Sequence, residues 1–208
     1  MTSLVHTARA RSLPVALLAA ALCLVTVSSA AAQPWPNTHQ GWFLGFGVGG
    51  GSAQLSFDKD HPDYPGETTD RETGGAGSFR FGYDFTPQLG FGLESIAWAK
   101  SQTVDDMDIL TTIGVAGPTL YWHPENTGFV LRGGAGLGMY RESASISGMD
   151  VTISNSGFGV LVGAAYQFRV KRTFSIGPEV AFGYAVLDKY KAQTLNAGLS
   201  FDWHFIPR

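Results

Sequence analysis

The residue types that could do chemistry in this chain are a glycine array, two acidic clusters and a few histidines. Gly45-Phe46-Gly47-Val48-Gly49-Gly50 has the spacing G-x-G-x-x-G. In a dinucleotide site that spacing brings backbone close to a pyrophosphate at the N-terminus of a following helix. Residues 52–65 carry no helical period, so these glycines read as strand glycines and no cofactor is expected. Asp58, Asp60, Asp63, Glu67 and Asp70, and further on Asp105, Asp106 and Asp108, are hard oxygen donors of the kind that suit Ca²⁺ or Mg²⁺. Pro62 and the missing central glycine break the EF-hand pattern, so solvated acidic loops are expected and no protein-held metal. His39, His61, His123 and His204 are not followed two residues later by serine, and there is no G-x-S-x-G elbow. The chain is therefore expected to have no catalytic residues and not to be an enzyme.

The N-terminus has the layout of an export signal. Arg9 and Arg11 precede an apolar run, 14–27, and small residues 28–32 follow, with no acidic residue before Asp58. Ala30-Ala31-Ala32 fits cleavage after Ala32, which makes 1–32 a signal peptide. The apolar run falls short of the roughly 20 residues of a membrane-spanning helix. The single cysteine, Cys23, lies inside it and would leave with it, so the mature chain offers no disulfide or thiolate site. Without Arg9 and Arg11 the remaining 176 residues hold 12 basic and 17 acidic side chains, a formal charge of −5. That balance carries no footprint for nucleic acid. The 27 glycines stand beside a 12% aromatic share, an unusual pairing because strands favour aromatics and avoid glycine.

After a short lead, 33–40, period two dominates from 41 to 208. Leu195, Ala197, Leu199, Phe201, Trp203 and Phe205 share one face against Asn196, Gly198, Ser200, Asp202 and His204. Similar faces recur at 42–48, 79–85, 129–139, 158–168 and 174–186, where Pro178 interrupts. Two weaker strands complete a set of eight: 89–100, expected to change phase near Ser95 at a bulge, and 108–122, where Pro118 suggests an edge or irregularity. Short links at 86–88, 123–127 and 170–172 alternate with longer polar ones at 56–73, 101–107, 141–155 and 187–193. Alternating short turns and long loops is the habit of outer-membrane barrels, and an even strand number puts both termini on one side.

Three features put the apolar face outward, toward lipid. The faces are five or six residues long, and about 9–11 tilted residues cross a bilayer. Aromatics gather at their ends near the short turns, as membrane interfaces favour. The opposite face is mostly glycine, alanine and serine. The charges on that second face are few and of both signs: Arg80, Glu94, Arg132 and Glu179 at middle depth, with Asp84, Arg169 and Asp202 nearer the short turns. On the lipid side a mid-depth arginine would cost about 2–4 kcal/mol; inside a lumen the charges can pair. Phe81, Val162, Phe182 and Leu199 are the matching lipid-facing positions. The last strand must then pair with the first, since no backbone can go unpaired in lipid.

On these residues the chain, from Gly41 to Phe205, resembles the small bacterial outer-membrane β-barrel proteins of the OmpA/OmpX-like superfamily. The closing LNAGLSFDWHF, with Phe201, Trp203 and Phe205, looks like the terminal strand signal of that family, although Ile206-Pro207-Arg208 follow the final aromatic. The resemblance implies a lumen bridged by arginine–glutamate pairs, which Arg80, Glu94, Arg132 and Glu179 match by type. It also implies contact with the barrel-assembly machinery during biogenesis and with outer-membrane lipids and lipopolysaccharide, and an address in the outer membrane; the oligomeric state stays open, with a monomer favoured. The lipid A deacylases among such barrels carry a His-x-Ser arrangement that is missing here. The expected fold is all-β, an eight-stranded antiparallel up-and-down transmembrane barrel after a cleaved signal peptide. The expected role is structural or surface-interacting through the outer loops. The alternatives are a narrow pore or small-ligand conduit, favoured by a glycine-rich lumen, and a lipid-modifying barrel enzyme.

Overall fold

A computed structural model describes residues 40–60, 64–104, 107–124, 127–146 and 149–205. The expected signal segment 1–32, residues 33–39 of the expected lead, Asp63, Asp105, Asp106 and the last three residues lie outside that set. The described chain is all β. Nine segments follow one another: β1 (Gly41–Phe57), β2 (Glu72–Asp84), β3 (Leu89–Val104), β4 (Met107–Trp122), β5 (Phe129–Ile146), β6 (Met149–Tyr166), β7 (Phe168–Lys171), β8 (Phe174–Val186) and β9 (Tyr190–Phe205). Each pairs antiparallel with its neighbours, and β1 pairs with both β2 and β9.

The ring closes through β1 against β9, and within it β6 pairs with β8 from Phe158↔Val186 to Ala165↔Glu179. The ladder resumes in the same register at Phe168↔Ile176, so β7 continues β6 and the barrel has eight staves. The break falls opposite Gly177 and Pro178. Proline has no N–H to give to the ladder, and the Gln167 amide donates instead to the Gly128 carbonyl at 2.7 Å. Gly177 is required here, because a Cβ would fall on the Tyr166 carbonyl oxygen. Pro118 acts in the same way but more mildly. The β4–β5 ladder skips from Ala116↔Leu137 to Thr119↔Gly134 without changing register.

Alternation sorts the side chains onto two faces. Trp42, Phe46, Phe81, Phe91, Leu93, Leu131, Leu137, Val162, Leu199 and Phe205 are exposed on the outside. Phe182 shares that outward face. Rings meet along the turn end: Trp42 stacks on Phe81 at 5.1 Å, and Phe174 lies 5.0 Å from Trp203. Arg141 and Lys191 face outward only at the opposite, loop end. An apolar surface on this scale is foreign to a monomer in water and suits a bilayer.

Three expectations need correction. Strand β3 does not change phase: its register with β2 and β4 runs unbroken through Ser95. Ile96 and Trp98 therefore point inward with Glu94, each nearly fully buried. The segments 101–107 and 141–155 are largely strand rather than loop, since β3 and β4 pair out to Val104↔Met107 and β5 and β6 out to Ile146↔Met149. The 18 residues of β5 and of β6 exceed what the bilayer needs, so the surplus stands above the apolar band.

Candidate functional site

The interior is layered from the turn end to the loop end. At the turn end Phe43, Tyr121, Val130 and Ala165 form a small buried cluster, with the Phe43 and Tyr121 rings edge-to-face at 4.9 Å. Beside it His123 Nε2 lies 3.1 Å from Asp84 Oδ1. Ser175 Oγ lies 3.5 Å from His204 Nε2. A serine and a histidine this close are the raw material of nucleophilic catalysis. Both are buried, and the cavity beside His204 measures about 10 Å³, room for one water and not for an acyl chain.

Above this layer runs a charge network. Arg80 on β2 gives Nε to Asp202 Oδ1 at 2.7 Å and Nη1 to Glu179 Oε2 at 2.8 Å. Arg132 on β5 gives Nη2 to the same Glu179 oxygen at 3.0 Å. Its Nε lies 2.7 Å from Glu94 Oε1, close as an ion pair but off-line for a hydrogen bond. Ser78 donates to Glu179 Oε1 at 2.8 Å and Tyr121 to Glu94 Oε2 at 3.1 Å. Five strands thus meet through four ions at middle depth plus Asp202. Counting from the turns places Asp202 lower, with Asp84 and Arg169. It is nevertheless bonded to Arg80, and Gly45 of β1 faces both residues in register. Asp84 instead meets His123, and Arg169 donates to the Arg172 carbonyl at 3.2 Å.

The glycine array is the bed of this network. A Cβ on Gly45 would fall on Asp202 Oδ1 and Arg80 Nε, and one on Gly47 on the Glu179 carboxylate and Ser78 hydroxyl. Gly45 and Gly47 of the G-x-G-x-x-G run therefore make room for the ion network, while Gly50 faces outward.

Next comes an apolar plug: Ala53, Ile96, Trp98, Ile113, Val115, Leu161, Ala181, Ala185, Leu187 and Ala192, all buried. The expected lumen of glycine and paired ions is thus incomplete, since a hydrophobic core fills its loop-end half. A cavity of about 10 Å³ lies between the network and the plug, lined in part by Gly47, Ile96 and Glu179. Above the plug the lumen opens into a cavity of about 190 Å³ at the loop-end mouth, with Trp98 and Ile113 among its walls and Glu72, Tyr140 and Glu142 at its sides. Sequence reasoning named none of those five residues. The period-two count that would have set Trp98 inward was lost at Ser95.

Outward apolar staves around a lumen of paired ions define an integral membrane barrel of eight antiparallel strands. The outer membrane protein beta-barrel domain family matches residues 17–205, and the chain belongs to that family. No curated protein sequence matches it. Among solved structures it is similar to Ail, the attachment invasion locus protein of Yersinia pestis, in complex with the heparin analogue sucrose octasulfate. The identity is 17% and the TM-score 0.55, over 78% of this chain and 99% of that one. Ail without that compound gives 18% and 0.50, over 79% and 99%. Neisserial surface protein A gives 16% and 0.48, over 79% and 97%. At these identities the likeness concerns the fold alone.

Proposed function

We propose that the protein, exported and cleaved after Ala32, is a non-conducting and non-enzymatic barrel of the outer membrane whose working part is its outer rim. The observation that carries this reading is the fill of the lumen. Aromatic cluster, ion network and apolar plug follow one another with about 10 Å³ free in each of the two inner cavities. A hydrated ion or a solute has no continuous path. By contrast β3, β4, β5 and β6 continue past the apolar band as a four-stranded wall. β6 residues 149–157 pair with β5, while the ladder with β8 begins only at Phe158. Extended sheet built above a membrane, where the bilayer asks for none, serves a contact outside it.

Two measurements test the reading. In planar bilayers the native protein is expected to stay silent, and steady single-channel conductance would make it a conduit. Cells making a form with 143–152 replaced by a short turn should lose retention on glycan- and protein-coated surfaces that hold cells making the intact form. Equal retention would remove the rim from the account. Lipid A from cells with and without the protein should have the same mass spectrum.

A further inference from the structure

We propose that the mouth cavity is a binding site for a small organic cation, a primary ammonium on an alkyl or arylalkyl body. Its volume of about 190 Å³ is far larger than the two inner cavities of about 10 Å³ each. The plug beneath it, with the buried Trp98 and Ile113 among its lining, closes it toward the periplasmic side and offers an apolar floor.

The sign of the charge around it selects the ligand. Among the described lining residues the ionisable carboxylates are Glu72 and Glu142, and no lysine or arginine lines the cavity. Glu72 is partly offset by Lys100, whose Nζ lies 3.2 Å from Glu72 Oε1 with both side chains partly in solvent. Glu142 has no ion pair among the described residues. It accepts a hydrogen bond from the Tyr140 hydroxyl, which aims the carboxylate without neutralising it. Tyr140 is itself braced edge-on by Tyr190, with ring centroids 5.4 Å apart. The cavity therefore joins an uncompensated carboxylate, a braced aromatic ring and an apolar floor. That combination favours an ammonium group, which a carboxylate and a ring face both attract. A divalent metal ion would ask for more: the described residues contain no group of three or more His, Cys, Asp or Glu able to hold one. An anionic ligand would meet the wrong sign. Trp98 Nε1, buried and without a hydrogen-bond acceptor among the described residues, is a donor open to an oxygen on the ligand's body and not to its ammonium group.

The test uses the barrel purified in detergent micelles and isothermal titration with tyramine, its ammonium-free counterpart 4-ethylphenol, and glucose. Tyramine should bind saturably and at least tenfold more tightly than 4-ethylphenol, with affinity falling as salt rises. Glu142→Gln should weaken tyramine tenfold or more. Ile113→Trp, which fills the cavity, should abolish binding while the barrel keeps its heat-dependent gel mobility. The proposal fails if tyramine does not saturate, if 4-ethylphenol or glucose binds as tightly as tyramine, or if Glu142→Gln leaves the affinity unchanged. None of these outcomes bears on conductance or on retention by the rim, so the two readings stand or fall separately.

Discussion

Arg80 and Asp202 are 122 residues apart in the chain and 2.7 Å apart in the lumen, joined across the backbone of Gly45. The first strand separates the second from the last, so this ion pair spans the place where the sheet closes on itself. Gly45→Ala puts a methyl group where Asp202 Oδ1 and Arg80 Nε now meet. Parting a buried pair without removing its charges is expected to cost about 3–5 kcal/mol. Urea unfolding followed by tryptophan fluorescence in micelles measures it. Gly50→Ala, facing outward with its nearest neighbour at 3.7 Å, should be nearly neutral, and an equal loss at both positions would contradict this role for Gly45.

Glu179 is the node of the network, accepting from Arg80, Arg132 and Ser78. Glu179→Ala leaves two buried guanidinium groups short of a partner and should destabilise by about 3–5 kcal/mol. Combined with Arg132→Ala the losses should fall well short of additive, because residues sharing one network couple by about 0.5–3 kcal/mol. Additive losses would mean that the two side chains do not act together.

Trp98 plugs the barrel from above while the ions seal it below. Trp98→Ala should cost about 3–5 kcal/mol through the lost contacts and the cavity left behind. It should nevertheless leave the protein silent in a planar bilayer, since Arg80, Arg132, Glu94 and Glu179 still block the path. Conductance in this variant would place the only seal in the plug.

The outer face carries a depth rule. Leu199, half-exposed at the middle of β9, should lose about 2–4 kcal/mol as Leu199→Arg on folding into liposomes. Gln193→Arg, two residues from Lys191 at the loop end, should cost about 0–1 kcal/mol. Equal costs would remove the bilayer from the explanation.

Much of this architecture is legible in the sequence wherever one face of a strand contrasts with the other. Leu195 to Phe205 alternates cleanly because lipid lies on one side and small or ionic residues on the other. Contrast fails at Ile96 and Trp98, where the plug is apolar inside and Ala97 and Ala99 are apolar outside, and a false phase change near Ser95 results. It fails again above the bilayer, where β5 and β6 have water on both faces and a paired strand looks like a loop. The contact of Ser175 with His204 and the walls of the mouth cavity arise only when separate strands are brought together, and no local spacing announces them.

The orientation of the two faces underlies every prediction above. Cys23 is the chain's only cysteine and lies in the segment 1–32 proposed to be cleaved, so single cysteines at Val162, Phe182 and Leu199 can each carry a nitroxide in liposomes. Power-saturation spectra with oxygen and with a water-soluble nickel chelate then report what surrounds each label. High oxygen and low nickel accessibility at all three, with the reverse at Arg141 and Lys191, is the result expected of a barrel wearing its apolar face outward in lipid. Nickel reaching Val162, Phe182 and Leu199 as readily as Lys191 would contradict it.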